Sequence, residues 1–376
     1  MPVDEFWDEA EVERIIQSIR QPVFPNNPDV YVTQYGARWG ATVLGADVAP
    51  PDMIDGTAFD SLPAFKAAIE VCSAAGGGRV VVPSGTYFVK GPITLKSNVN
   101  LHLQDEDTRI VFSRDPRDYP TVLTQYEANA CMNYSPFLYA KDAENIAVTG
   151  KGTFDGQAGI GDAGNTTGSR AWAFGQKSNP DVTPPVNMAT TGAWLAWKAF
   201  TAGTAPRNDI HDDGRLKNSA NDDTYVPWAD RVFGRDPSFG WEFEHGRKMS
   251  TLRPNFVGFW NCQRVLIEGV KFRRSPMWVI APVLCSEVTV RGVYVESHGT
   301  NNDGVNPTCS SQVLIEDCEL DTGDDCVAIK SGRGGDGYNF TPDGKGGPRP
   351  SHDIVVRNCV LSDGHGAITL GSEISG

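Results

Sequence analysis

"VLIEGV" (265–270), "VTVRGV" (288–293), "VLIEDC" (313–318) and "IVVRNC" (354–359) are one pattern written four times. Each segment alternates apolar and other residues with period two, is rich in β-branched side chains and ends in a turn-like or polar stretch. That combination predicts a strand followed by a turn. Their starts lie 23, 25 and 41 residues apart. The long last interval holds "GRGGDGYNFTPDGKGGPRP" (332–350), whose glycines and prolines read as a loop inserted within one coil. "NIAVTGKG" (145–152) and "NVNLHL" (98–103) read as earlier members of the series. Strands at this period, with no helical pattern between them, predict a solenoid of stacked parallel strands, an all-β parallel β-helix. The leucine and asparagine spacing of leucine-rich repeats is missing. A β-sandwich would not keep equivalent residues in equivalent places over four turns.

Around this ladder the chain divides into an N-terminal segment, 1–60, leading into the first strand, and a β-helical domain, 61–376. "PAFKAAIEVC" (63–72) predicts a short helix with proline near its first turn. Such a helix is placed to cap the open end of the solenoid, which otherwise exposes an unpaired strand edge. Residues 157–250 form a long polar insertion, and Trp172, Trp194, Trp197, Trp228 and Trp241 within it argue against disorder. A loop built over one face, supplying stacking surfaces, is expected there.

The 376 residues are 40% hydrophobic, enough for a continuous core, and 40 glycines with 25 prolines suit a turn-rich β protein. A net charge of −14 argues against a nucleic-acid partner, which needs a basic face. A polyanionic ligand would require a local cluster of Lys and Arg. No apolar run approaches the length of a membrane span, so no membrane partner is expected. The start "MPVDEFWDEAEVERIIQSIR" is acidic and amphipathic and shows no signal peptide, which leaves the compartment open. The eight cysteines include no C-x-x-C pair. Cys318 and Cys359 hold the same place in successive coils, as do Cys262 and Cys285, so buried thiols are expected rather than a metal centre.

Aligning the later strands by their alternation sets "DGV" at 303, "DCVAI" at 325 and "GAITL" at 366 in register. Asp303 then shares a column with Asp325, while Asn302, Asp324 and His365 fill the adjacent one. Parallel strands lie ~4.8 Å apart, so these groups converge on one patch. Carboxylates so crowded cannot all ionise at ordinary pKa, and at least one is expected to be raised. That suits a general acid beside a general base. An acidic ladder binding calcium is the structural alternative, but the histidine in the column fits acid–base work better, and neither metal nor cofactor is expected. Lys330 and Arg333 are the nearest cations in sequence for a substrate carboxylate. His298 and Glu373 are candidate rim residues.

"NND" (301–303), "GDD" (323–325) and "GHG" (364–366) resemble the three central motifs of the polygalacturonases of glycoside hydrolase family 28. The family commonly has Thr where Asn302 stands. The resemblance runs from about residue 30 to the last residue. "SHGTNNDG", "CVAIKSGR" and "LGSEISG" look most like the bacterial exo-acting branch, where Lys330 replaces an Asn usual in endo enzymes. The resemblance implies a right-handed parallel β-helix and hydrolysis of α-1,4-galacturonosyl bonds in pectin with inversion. It implies Asp324 as the acid, Asp303 and Asp325 as activators of water, and His365 as support for the acid. Asn301 joins His298, Lys330, Arg333 and Glu373 as expected contacts to a pectic polysaccharide or oligogalacturonide. A secreted or periplasmic monomer is implied as well. The family's fourth motif, R-I-K, lies one coil beyond G-H-G, whereas this sequence stops at Gly376. The expectation is therefore that the C-terminal coils are absent and that the last coil exposes an open edge. Three other functions remain in competition. One is hydrolysis of rhamnogalacturonan or xylogalacturonan, another is a calcium-dependent lyase, and the third is a non-catalytic carbohydrate-binding β-helix.

Overall fold

The computed structural model describes residues 8–40, 58–113, 118–158, 240–242, 248–250, 253–299, 301–333 and 349–376. One coil runs through Gln263–Glu268, Lys271–Arg273 and Ile280–Val283 before Ser286–Arg291 begins the next. Repetition of this path stacks three parallel sheets into a parallel β-helix. The first sheet has eight described strands and the second seven. The third has four, continued through bridges at Val305 and Thr308 to Val327–Ile329 and Ile368–Leu370.

Val265 pairs with Val288, Val288 with Val313, and Val313 with Ile354, so the four repeated segments stack letter on letter. Each letter then has a physical task. The first and third point inward: Val265, Ile267, Val288, Val290, Val313 and Ile315 are at most 1% exposed. Burying each stabilises the coil by roughly 1.5–3 kcal/mol. The fifth letter turns the corner. Gly269, Gly292, Asp317 and Asn358 have φ of 74°, 58°, 55° and 54°, the left-handed region that glycine enters freely and Asp or Asn tolerate. The sixth points inward again, and Cys318 is buried there with Cys359 half-buried one coil on.

The fourth letter alternates in sign, Glu268, Arg291, Glu316, Arg357, and points outward. Arg291 lies 3.3 Å from Glu268 and donates to Glu316 at 2.5 Å, while Arg357 reaches Glu316 at 2.7 Å. The Glu316 carboxyl feels burial pushing it up, but the two guanidiniums outweigh that and hold it below its usual range. Glu316→Ala is expected to cost about 1–2 kcal/mol in urea unfolding at pH 7, since two ion pairs are lost together. An unchanged midpoint would show that the ladder is decorative.

Residues 8–31 form a strap. Asp8 caps the helix Glu9–Ser18 by accepting from the N–H groups of Ala10 and Glu11. The apolar face of the helix, Val12, Ile15 and Ile16, packs with Ile19 on Leu314 and Val355, which point outward from the first sheet. The chain then runs down the stack: Arg20 pairs with Glu287 and Gln21 donates to Thr289. It ends at Val30–Tyr31, which pair with Val80 and Val81. The helix therefore packs on the outer face of the sheet, and the first described strand, Val30–Tyr31, lies within the 1–60 segment rather than after it.

The helix Leu62–Ala74 buries Leu62, Phe65, Ala68, Ile69 and Cys72 against the core of the first coils. Further along, Phe112, Phe137, Phe154, Phe256 and Phe272 fill the interior in stacked, tilted and edge-on contacts of 4.9–6.5 Å between ring centres. Of the seven described cysteines, six are buried and Cys359 is half-buried. Most of the insertion, including Trp172, Trp194, Trp197 and Trp228, lies outside the described residues. Gly240–Glu242 and Lys248–Ser250 within it form an antiparallel pair. At the other end Val360, Ile368 and Leu370 are 59%, 53% and 71% exposed.

Candidate active site

The third sheet carries the acidic cluster. Ile280 bridges to Val305, Val305 to Val327, and Val327 pairs with Ile368. Two residues earlier, the same register puts Trp278, Asp303, Asp325 and Gly366 in one column. Met277, Asn302, Asp324 and His365 occupy the column beside it. The backbone bonds Val279 N–H to Asp303 O, Gly304 N–H to Asp325 O, and Cys326 N–H to Gly366 O tie the rungs.

The glycines of the motifs make room for the acids. A Cβ at Gly366 would lie 2.7 Å from Asp325 Oδ1 and 2.3 Å from Thr369 Oγ1. At Gly364 it would meet Cys326 Sγ at 2.5 Å and the Asp324 carbonyl at 2.9 Å. Asn302 is fully buried, accepting from Ser297 Oγ at 2.6 Å, so it anchors the loop rather than facing the cluster.

Asp324 accepts from the N–H of Asn301 and from that of Asp325, each at 3.1 Å. His365 Nδ1 lies 3.9 Å from Asp324 Oδ1, and its ring is 87% exposed. One donor atom each from Asp324, Asp325 and His365 falls within a 4.8 Å span. Among the described residues this is the group whose spacing would admit a cation, and the same spacing serves proton transfer.

Asp303 is the buried member, 3% exposed, accepting from Asn306 Nδ2 at 2.7 Å. Burial pushes its carboxyl up to about 7, against the pull of Lys330, with Asp324 adding to the rise. Crowding was expected to raise one acid. Here desolvation is the main cause, and the raised group is Asp303.

The expected substrate contacts divide. Lys330 is not a free cation: its side chain is 5% exposed, and Nζ donates to Glu373 Oε2 at 2.8 Å and to the Gly371 carbonyl at 3.0 Å. The ammonium also lies 4.6 Å from the Trp278 ring centre. Glu373 is buried instead of standing on a rim. Burial pushes its carboxyl up, but Lys330, Ser372 and Arg333 more than offset this and leave it below the usual range. Arg333 is part-exposed, 2.9 Å from Glu127 and 3.8 Å from Glu373. His298 Nε2 lies 3.2 Å from Asp321 Oδ1. Asn301 has φ of 58° and accepts from Arg253 Nη2 at 3.1 Å.

Glu127, Arg253, Trp278 and Asn306 were not singled out from the sequence. Glu127 sits at the tip of the hairpin formed by Thr121–Tyr126 and Asn129–Tyr134. Its two-residue turn, Glu127 and Ala128, has φ of 45° and 56°. This turn geometry usually announces itself as Asn-Gly or Asp-Gly, and "EA" gives no such signal. The hairpin packs Ala130 against Trp260, Val283, Leu284 and Cys309, and so brings Glu127 to Arg333. Burial raises the Glu127 carboxyl, with Arg333 opposing and Glu373 adding to the rise.

The third sheet of this parallel β-helix thus carries three carboxylates and an imidazole on two adjacent columns. The chain belongs to glycosyl hydrolases family 28, whose pattern matches residues 238–376. It is 35% identical to a hyperthermoactive exopolygalacturonase from Thermotoga maritima, with TM-score 0.69, over 98% of this chain and 67% of that one. A family 28 exopolygalacturonase from Yersinia enterocolitica is 21% identical, with TM-score 0.57, over 93% of this chain and 51% of that one, a likeness of fold. An exo-poly-alpha-D-galacturonosidase from Dickeya chrysanthemi is 24% identical over 92% of this chain and 47% of its own length. A probable polygalacturonase from Vitis vinifera is 32% identical over 36% of this chain and 27% of its own. The chain thus spans about a fifth to a half of the length of these and similar curated relatives. The shared fold is the right-handed parallel β-helix.

Proposed function

We propose that this chain is a glycosidase acting on the α-1,4-galacturonosyl linkages of pectic polysaccharide, releasing sugar from a chain end. The observation that carries the reading is the convergence of Asp303, Asp324, Asp325 and His365 on two adjacent columns of the third sheet. In this reading Asp324, the half-buried carboxyl beside His365, gives its proton to the leaving glycosidic oxygen. Asp303 or Asp325 takes a proton from water as the water oxygen bonds to the anomeric carbon. The C–O bond breaks with its electron pair passing to the protonated oxygen. Inversion is the family's outcome. Arg333, beside Glu127 and Glu373, is the cation proposed for a uronate carboxylate. The proposed enzyme works as a monomer outside the cytoplasm. Among the described residues no helix is long and apolar enough to cross a membrane.

A second reading exchanges the acids. A carboxyl raised to about 7 by burial keeps its proton at mildly acidic pH, and this favours Asp303 as donor with the Asp324–Asp325 pair activating water.

Incubation with polygalacturonate, with products separated by size and absorbance, tests the proposal. Saturated galacturonate monomer is expected, and activity is expected to survive exhaustive treatment with a calcium chelator because carboxylates activate the water. Unsaturated products formed only with calcium would mean a lyase, and absence of any product would favour a binding solenoid.

A further inference from the structure

Three buried charged side chains are neighbours beside the acid cluster: Asp303, Lys330 and Glu373. Lys330 Nζ lies 3.7 Å from Asp303 Oδ2 but 2.8 Å from Glu373 Oε2. The first distance is too long for a hydrogen bond and the second is a strong one. Glu373 is itself held from behind, accepting from Ser372 Oγ at 2.9 Å with Arg333 3.8 Å away. The Gly371 carbonyl takes another Lys330 proton at 3.0 Å. The only described hydrogen bond to the Asp303 carboxylate comes from a neutral amide, Asn306. Lys330 is therefore one cation between two buried anions, and the geometry gives most of it to Glu373.

We propose that Glu373 is a positioning residue that, by holding Lys330 off Asp303, sets how tightly Asp303 keeps its proton. This rests on the reading that Asp303 takes part in proton transfer. Two effects of the Glu373 charge act in one direction. It draws the ammonium away from Asp303, and as a buried anion it adds its own repulsion. The other charged groups around these three are Asp324, Asp325 and His365 on the cluster side, and Arg333, Glu127 and Arg253 on the hairpin side. The described polar contacts of the Lys330 ammonium are with Asp303, Glu373 and the Gly371 carbonyl. Glu373 stands outside the three motifs that named the acids, and its role here is to act through Lys330 rather than to meet substrate.

The test follows the Asp303 carboxyl directly, by carbon-13 NMR titration of the whole chain, with Asp303→Asn to assign the signal. Glu373→Gln keeps the shape but removes the charge, and is expected to lower the Asp303 midpoint by about one pH unit. Lys330→Met is expected to raise it by a similar amount, and Glu373→Asp to leave it close to wild type. The limb of the pH–rate profile that Asp303 governs should move with it. A merely structural Glu373 would lower activity or stability without moving the midpoint. An Asp303 midpoint that stays put in Glu373→Gln, or rises, overturns the proposal. This holds even if Lys330→Met fails to fold. If the midpoint moves as expected while no limb of the rate profile follows, the proposal stands and the functional role assigned to Asp303 fails.

Discussion

Asp324→Asn is expected to lower hydrolysis of polygalacturonate by about 10²–10⁴-fold, the usual worth of a positioned general acid, with little change in thermal midpoint. The fold should tolerate the change because Asp324 is half-buried and stands next to another acid, so an uncharged amide removes repulsion and opens no cavity. The Asn301 N–H would keep a carbonyl oxygen to donate to. The leaving group separates the two readings of the acids. With an aryl galacturonide, whose phenolate departs without protonation, loss of the acid should matter much less. If Asp324 is the acid, Asp324→Asn is rescued on the aryl substrate and Asp303→Asn is not. The opposite result would move the acid to Asp303. Retention of more than about a tenth of wild-type activity on the polymer would remove Asp324 from the chemistry.

Asp155→Ala is expected to have the largest effect on stability. Asp155 is completely buried, takes two hydrogen bonds from Arg274 at 2.9 and 2.6 Å, and is also paired with Arg109. Its Oδ1 further accepts from the Gln157 N–H at 2.9 Å. Removing the carboxylate strands the buried Arg274 guanidinium, and breaking buried pairs of this kind costs about 3–5 kcal/mol. Urea unfolding at pH 7 measures this, and a loss below about 1 kcal/mol would mean that the guanidiniums find other partners. The pH dependence has a definite sign. Burial pushes the Asp155 carboxyl up, but Arg274 and Arg109 outweigh it and leave the folded value below 3.8, its ordinary value. The stabilisation is therefore fully present above the ordinary value and is lost as pH falls through the lower, folded one. Asp155→Ala should flatten that part of the acid-unfolding curve.

A short run of contacts connects Arg274, the partner of Asp155, with the cluster. Arg274 turns the corner with φ of 53°, and the next residue, Ser275, donates its N–H to Ser297 Oγ, which donates to Asn302. Asn302 precedes Asp303. This corner belongs to the second sheet, and its link to the acids joins parts of the coil that local sequence does not relate.

What the sequence determined by itself was everything that repeats. Stacked parallel strands put each residue beside its counterpart one coil away, so the four six-letter segments contained their own pairing. The same register placed Asp303 beside Asp325 and Asp324 beside His365. Two details of those segments, the Glu/Arg alternation and the Gly/Gly/Asp/Asn corner, were also present in the letters, but needed the outward face and the sign of φ to acquire meaning. The tertiary structure alone decided the contacts between unlike parts of the chain. Lys330 and Glu373 are 43 residues apart, Arg333 and Glu127 are 206, and Arg20 and Glu287 are 267. No periodicity relates them. The charge on Asp303 was beyond the sequence for a related reason. A carboxyl's proton affinity depends on how much water it loses and on where the nearest ammonium is held, and both are properties of the closed coil rather than of the motif.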